Sequence, residues 1–332
     1  MTAMSRRRAV IAAGAIAGPA AARPDGARAQ PAWPDRPIRL IVPFPPGGPA
    51  DTIARLVAPG MGERLGGRPI VIESRSGAGG MVGIEAVARA LADGYTIGLG
   101  SSGVMAIMPV LQPNMPFDPH RDLAMIGLVL SVPQVLAVHP SLPVRSVAEL
   151  IAHARQRPGQ ISYGSAGIGS TLHLATELFR ARAGGIDIVH VPYRGAAPAI
   201  PDLLSGRVQM MFADVPILLP QVRAGAVRPL GVTAPQRLEL LPELPTMIES
   251  GLEGMVSASS YGLVAPAGVP AERIAAMNAA MNASLAAPAT RRALVEQGGV
   301  PRGGTPEEAA AFFRGEMETW REVARTANVR LE

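Results

Sequence analysis

The stretch Ile38-Arg39-Leu40-Ile41-Val42-Pro43-Phe44-Pro45-Pro46-Gly47-Gly48-Pro49-Ala50-Asp51 constrains this chain more than any other. Ile38 to Val42 is a short apolar, β-branched run, the pattern of a strand covered on both faces. Pro43, Pro45 and Pro46 then end any ladder pairing. Gly47 and Gly48 let the backbone turn tightly and expose its N–H groups. Asp51 stands at the expected N-cap of a helix that continues through Thr52-Ile53-Ala54-Arg55-Leu56-Val57. Such a junction offers unpaired amides and the positive end of a helix dipole to an anion. Taken alone, it serves equally well as a strand–helix connection without a ligand.

The chain begins with a leader-like segment. Ser5-Arg6-Arg7-Arg8 is a positive n-region, and Ala9 to Ala22 is apolar but too short and too rich in alanine and glycine to span a bilayer. Ala27-Arg28-Ala29 is a small-x-small cleavage site, so residues 1–29 read as a signal peptide and the mature chain is expected to be exported. No other run is long and apolar enough to span a bilayer. The leader holds five arginines and one acid, so its removal takes the formal net charge from +5 to +1. Without a basic stripe carrying interleaved aromatics, nucleic acid is not an expected partner.

About 300 residues remain, enough for two domains with sizeable cores. Cysteine and lysine are both absent, which excludes disulfides, thiolate metal sites, a P-loop lysine and Schiff-base chemistry. No G-x-S-x-G or H-E-x-x-H motif occurs. The five histidines, at 120, 139, 153, 173 and 190, show no metal-ligand spacing. No cofactor or metal is expected. Asp51 and Asp214 are the one carboxylate pair that an enzyme could use, and a hydrolase or lyase acting on a small carboxylate is the alternative function.

Strand-like and helix-like segments alternate from Ile38 onward, which predicts an α/β fold with mostly parallel strands. Helices are expected over 51–65, 81–90, 197–204, 271–286, 290–297 and 305–325. Strands are expected over 70–74, 95–99, 188–191, 208–212, 228–232 and 261–266. Residues 109–122 read as a proline-broken loop, and 124–130 and 134–138 as two apolar runs separated by Ser131-Val132-Pro133. Ser146-Val147-Ala148-Glu149 and Thr305-Pro306-Glu307-Glu308 are capping boxes. Gly77, Gly79, Gly80 and Gly83 miss the dinucleotide register, since Val82 stands at the third glycine; they predict a second amide-rich turn. Gly100-Ser101-Ser102-Gly103 opens after the next strand. The opening design then recurs at Ile161 to His173: strand, the glycine turn Gly164-Ser165-Ala166-Gly167-Ile168-Gly169, and a helix start at Ser170-Thr171. Here Ser165, Ser170 and Thr171 add hydroxyls that can donate to an anion. His173 is expected one turn inside that helix.

Several of these segments resemble the tripartite tricarboxylate transporter receptor proteins, the Bug-type periplasmic solute-binding family. The similarity starts with Trp33-Pro34-Asp35-Arg36-Pro37 and the opening stretch. It continues through Gly77-Ala78-Gly79-Gly80, Asp93-Gly94-Tyr95-Thr96, Val138-His139-Pro140-Ser141-Leu142-Pro143 and Tyr163-Gly164-Ser165 with His173. Val189-His190-Val191-Pro192-Tyr193-Arg194-Gly195, Leu244-Pro245-Thr246 and Gly262-Leu263-Val264-Ala265-Pro266-Ala267-Gly268 extend it over essentially the whole mature chain.

The resemblance implies a two-lobed periplasmic binding protein of type II topology, each lobe a mostly parallel sheet flanked by helices. Residues 30–131 with 255–332 would form lobe 1, residues 132–254 lobe 2, with a hinge near 130–133 and 254–260. A small organic acid or amino acid would sit between the lobes, held partly through ordered water, and be delivered to the membrane components of a transporter by a monomeric receptor. The contacts implied are Phe44, Gly47, Gly48, Ala50, Asp51, Gly79, Ser101, Ser165, Ala166, Gly169, Ser170, Thr171 and Asp214. Two positions depart from the family pattern: Ser260 stands where a tryptophan often precedes the aromatic Tyr261, and Arg194 replaces a lysine while keeping the charge.

Overall fold

The computed structural model describes residues 33–112, 114–193 and 195–327. The leader, with its cleavage site near Ala29, and Arg194 lie outside the described residues. No described helix is long and apolar enough to cross a membrane.

The first half of the fold is built on β1 (Ile38–Val42), β2 (Ile70–Ser74) and β3 (Thr96–Ser101), joined by α1 (Pro49–Arg64) and α2 (Met81–Ala88). The three strands run parallel in the order β2-β1-β3. Every residue of β3 is buried, and β1 exposes only Arg39, as expected of strands covered on both faces. Ile53, Ala54, Val57 and Met61 of α1 pack on one face; Ile84 and Val87 of α2 pack on the other. After β3 come a π-helical turn (Gly103–Ile107) and the short α3 (Met108–Leu111). Part of the segment expected as a proline-broken loop is therefore helical, because Pro109 sits in the first turn, where its missing N–H costs nothing.

The chain then crosses in a single strand, β4 (Leu123–Val138), where two separate runs were expected. At 16 residues it spans about 50 Å. Pro133 does not break it, because β4 changes partners there. Residues Leu123–Pro133 pair antiparallel with β9 (Ala258–Pro266), and Gln134–Val138 pair with β7 (Met210–Asp214).

The second half repeats the parallel arrangement. β5 (Ser162–Ser165) pairs parallel with both β6 (Val189–Pro192) and β7. Helices α4 (Val147–Gln156), α5 (Thr171–Arg182), α6 (Ala196–Leu204) and α7 (Val215–Arg223) accompany these strands, and β8 (Arg228–Val232) adds antiparallel to β4. Helix α7 was not expected; Pro216 at its start and Pro220 within it obscure its pattern.

The chain returns through β9 and finishes with α8 (Ala271–Ala286), α9 (Pro288–Glu296), β10 (Val300–Gly303) and α10 (Pro306–Ala327). The main strand order is β2-β1-β3-β9-β4-β7-β5-β6, with β8 and β10 also on β4. Both capping boxes form. Ser146 Oγ accepts from Glu149 N at 3.1 Å, and Thr305 Oγ1 accepts from Glu308 N at 3.2 Å. In the second, Glu308 reaches back to Thr305 N at 2.8 Å.

Candidate functional site

Parallel pairing aligns strand ends. The C-terminal ends of β2, β1 and β3 are Ser74, Val42 and Ser101; those of β6, β5 and β7 are Pro192, Ser165 and Asp214. The loops leaving such ends are where open α/β sheets place ligands. Every implied contact residue follows or terminates a parallel strand, on one half or the other.

In the first half the turn after β1 packs against the turn after β2. A Cβ on Gly80 would lie 3.2 Å from Val104 Cγ2, 3.3 Å from Phe44 Cζ and 3.4 Å from Pro43 Cβ, so these neighbours would have to give by a few tenths of an ångström. Gly80 also has φ +103, a backbone region that favours glycine. Gly83 lets α2 approach even closer: a Cβ there would stand 2.6 Å from Arg75 O and 2.8 Å from Pro43 Cα. Phe44 is half-buried in this contact, while Gly47 and Gly79 are exposed.

Asp51 is not the N-cap. Pro49 opens α1 and Gly48 caps it, because proline's fixed φ suits the first helical position. Asp51 instead sits in the first turn, 4% exposed, and its Oδ2 accepts from Gly47 N at 3.0 Å and Arg55 Nε at 2.9 Å. The Arg55 hydrogen bond, then the Gly47 amide, hold its carboxyl below the usual range. Its Oδ1 is buried with no partner among the described residues. No protein acceptor among the described residues answers the N–H groups of Ala50 and Asp51. Gly47 N–H is thus spent on Asp51, and the next amides of the turn remain open.

The junction in the second half has a neutral cap. Ser170 Oγ accepts from His173 N at 3.2 Å and donates to Gly167 O at 2.7 Å. Ser165 is fully buried; its Oγ accepts from Gly167 N at 3.1 Å and shares a 2.6 Å hydrogen bond with His190 Nε2. These two hydroxyls shape the loop from within, whereas Thr171 Oγ1 has no hydrogen bond to a described residue.

Behind the loop lies a stack that sequence reasoning missed. His173 and His190 are parallel with ring centroids 4.0 Å apart, and Tyr163 lies over His190 at 4.8 Å. Tyr163 and His190 are register partners on β5 and β6, so two strands assigned as neighbours would have revealed the pair. His173 Nδ1 accepts from Gly169 N at 3.1 Å, which places its proton on Nε2. Burial, then Arg180, lowers His173 to about 4; burial, then His173, lowers His190 to about 4. Both rings are therefore neutral around pH 7. Glu177 completes the set, accepting from Tyr163 Oη at 2.7 Å and Arg180 Nη1 at 2.8 Å. His173 thus holds the loop through Gly169, with only 6% of its surface exposed.

Asp214, last residue of β7, joins the two halves. Its Oδ1 and Oδ2 lie 2.9 and 3.1 Å from Ser259 Oγ on β9, which donates to it. Asp214 is half-buried, with protein packed closely around its carboxyl. Burial pushes its carboxyl up to about 6; Ser259 and then Gln134 act against the rise. Gln134 is the register partner of Asp214 on β4, fully buried, and its Nε2 has no hydrogen bond of full geometry. Burial, then the Asp214 charge, raises the Tyr261 phenol. Tyr261 is also the register partner of Ser101, whose Oγ is buried and unpartnered among the described residues. Ser101 and Asp214 are thereby gathered around Tyr261. Gln134 and Ser259 escaped sequence reasoning because the crossing of β4 and β9 brings them to Asp214, while Tyr261 was marked only as the aromatic of the family pattern. Ser260 points away from this group, its Oγ 3.0 Å from Ser131 Oγ.

No group of three or more metal-ligating side chains occurs among the described residues. Asp51 and Asp214 each have structural partners, Arg55 with Gly47 and Ser259 respectively.

Residues 53–329 match the family described as "Tripartite tricarboxylate transporter family receptor". Over 301 residues the chain is 37% identical to Protein BugT of Bordetella pertussis (strain Tohama I), covering 90% of this chain and 92% of that protein. Among solved structures it resembles R. palustris Rpa4515 with adipate, at 40% identity and TM-score 0.78, covering 90% of this chain and 99% of that one. MatC (Rpa3494) from Rhodopseudomonas palustris with bound malate is 30% identical at TM-score 0.74, covering 88% and 99%. Neither the family nor these neighbours support a hydrolase or lyase built on Asp51 and Asp214; they are solute-binding receptors. By sequence over most of its length and by fold, the chain belongs to the tripartite tricarboxylate transporter receptor family, and it is a solute-binding protein of the periplasmic type.

Proposed function

We propose that this receptor captures a small carboxylate, such as a dicarboxylic acid, in a cleft between two lobes and presents it to the membrane components of a tripartite transporter. Residues 30–131 with 255–332 make one lobe and residues 132–254 the other; β4 and β9 are the connecting strands. The ligand touches the turn from Phe44 through Gly47, Gly48, Ala50 and Asp51, and also Gly79 and Ser101. From the other lobe come Ala166, Gly169, Ser170, Thr171 and Asp214, whereas the fully buried Ser165 holds the loop from behind rather than meeting the ligand. The open N–H groups at the start of α1 and the free Thr171 hydroxyl supply donors suited to carboxylate oxygens. Closure follows from the ligand's preference for the closed form. The receptor acts as a monomer after cleavage near Ala29.

The observation that carries this reading is full-length likeness to proteins solved with adipate and with malate, both small dicarboxylates. The test is thermal denaturation of the mature chain with adipate, malate, aspartate and citrate, beside native mass spectrometry of the purified protein. A ligand at about 100 times its Kd stabilises by about 2.7 kcal/mol, a clear rise in Tm. Substitution of Thr171 by valine weakens that rise. A protein indifferent to every acid, or one that converts them, overturns the proposal.

A further inference from the structure

A second enclosure lies against the crossing strands and shares no lining residue with the proposed contacts. It is a cavity of about 900 Å³, within the size range of small-molecule sites. Ser131 and Pro133 of β4 and Ser257, just ahead of β9, form one wall. Residues of α10, Phe312, Gly315, Glu316 and Trp320, form another, and residues 233–240, after β8, close a third side.

Its polar groups are incompletely answered. Trp320 is 2% exposed and Ser257 3% exposed, yet Trp320 Nε1 and Ser257 Oγ have no partner among the described residues. An indole N–H can only donate, and a buried donor left unanswered costs stability. Arg291 and Arg302 border the cavity, exposed, with no ion pair among the described residues. The Arg302 guanidinium lies 5.5 Å over the Phe312 ring. The third arginine of the lining, Arg237, is held by Glu249 at 3.0 Å. Of the two acids, Glu239 is exposed. Glu316 accepts from Ser102 Oγ at 2.7 Å; burial raises its carboxyl to about 7, against the Ser102 hydrogen bond and the nearby Arg302 charge. Leu238, Leu240, Val256 and Val295 supply apolar wall.

We propose that this cavity binds a small amphipathic anion, an acid with an aromatic or aliphatic body, independently of the cleft ligand. Its body lies among Leu238, Val295, Phe312 and Trp320. Its acidic head meets Arg291 and Arg302, and acceptor atoms take the hydrogens of Trp320 Nε1 and Ser257 Oγ. Because the walls come from both halves of the sheet, the occupant bridges them beside the strands on which they would hinge.

The sequence contains two tryptophans, so Trp33→Phe leaves Trp320 as the one indole reporter. Titration of that variant with anilinonaphthalene sulfonate should quench Trp320 emission by energy transfer, saturably, at one probe per chain. Arg291→Ala with Arg302→Ala should weaken binding at least about tenfold, the loss of a charge-assisted contact. Gly315→Phe fills the cavity where a Cβ on Gly315 meets nothing within 4 Å, and should abolish the saturable signal. Circular dichroism of each variant separates this loss from unfolding. Quenching that survives Gly315→Phe, quenching abolished by the cleft variant Thr171→Val, or an unquenched Trp320 in a folded protein overturns the proposal.

Discussion

Replacement of Asp214 by asparagine removes one charge from a half-buried, crowded position while keeping the side chain's shape and an oxygen for the Ser259 hydroxyl. Burial lifts this carboxyl from an ordinary 3.8 to about 6. An acid whose folded-state value is raised binds its proton more tightly in the folded protein than in the unfolded chain. Stability therefore falls as pH rises from about 4 to about 6, and the whole penalty is present above that window. A displacement of this size corresponds to about 3 kcal/mol at most, less to the extent that solvent reaches the group. Asp214→Asn should therefore stabilise the ligand-free protein by about 1–3 kcal/mol at about pH 7.5 and by much less at about pH 4. Urea denaturation of both proteins across that range reads the difference directly, as a midpoint that separates with rising pH at constant m-value. Two parallel stability profiles, or a variant weaker than the parent at neutral pH, would refute the reasoning.

Gly83→Ala should cost about 1–3 kcal/mol in urea denaturation, because its Cβ meets the Arg75 carbonyl at 2.6 Å and the Pro43 backbone at 2.8 Å; a neutral or stabilising change, as helix propensity alone would give, contradicts the close approach. Ser170→Ala should cost about 1 kcal/mol in thermal denaturation by leaving His173 N without its cap. Asp51→Asn should cost about 0.5–1 kcal/mol at neutral pH through the lost Arg55 pair and helix-dipole contact. The Asp51 carboxyl is held low, so its stabilisation is present above the ordinary carboxylate value and lost as pH falls through the depressed one; parent and variant should converge in acid.

What the sequence revealed was local. β2, β8 and α8 fall on the expected residues, and most other elements within a few positions, because each carries its own periodicity or cap. The strand–turn–helix design after β1 and after β5 was legible from proline and glycine punctuation. The misses have two causes: tertiary contact overriding a local signal, and proline shifting or masking a helix start. Pro133 reads as a break, yet β4 passes through it because its partner changes from β9 to β7 at that residue. Asp51 reads as a cap, yet Pro49 claims the first helical position and moves the cap to Gly48. Gln134 and Ser259 carry no motif at all; they meet Asp214 only because distant strands cross.

The two junctions look alike in sequence and differ in charge. At α5 the cap is the neutral Ser170, and the histidines behind the loop are uncharged, so the helix dipole is unopposed by a nearby formal charge in the loop itself. At α1 the Asp51 carboxylate already occupies the first turn and already takes the Gly47 amide. An anion arriving there meets directed N–H donors but a largely cancelled field. Its unpartnered Oδ1 calls for a donor, which a carboxylate ligand cannot supply directly. A water molecule or an ammonium group on the ligand can donate to Oδ1 and to a carboxylate oxygen at once, whereas a ligand hydroxyl, with one hydrogen, can answer only Oδ1. In the proposed binding mode, α5 would supply the attraction for the acid, while α1 would read what the acid carries beside its carboxylate.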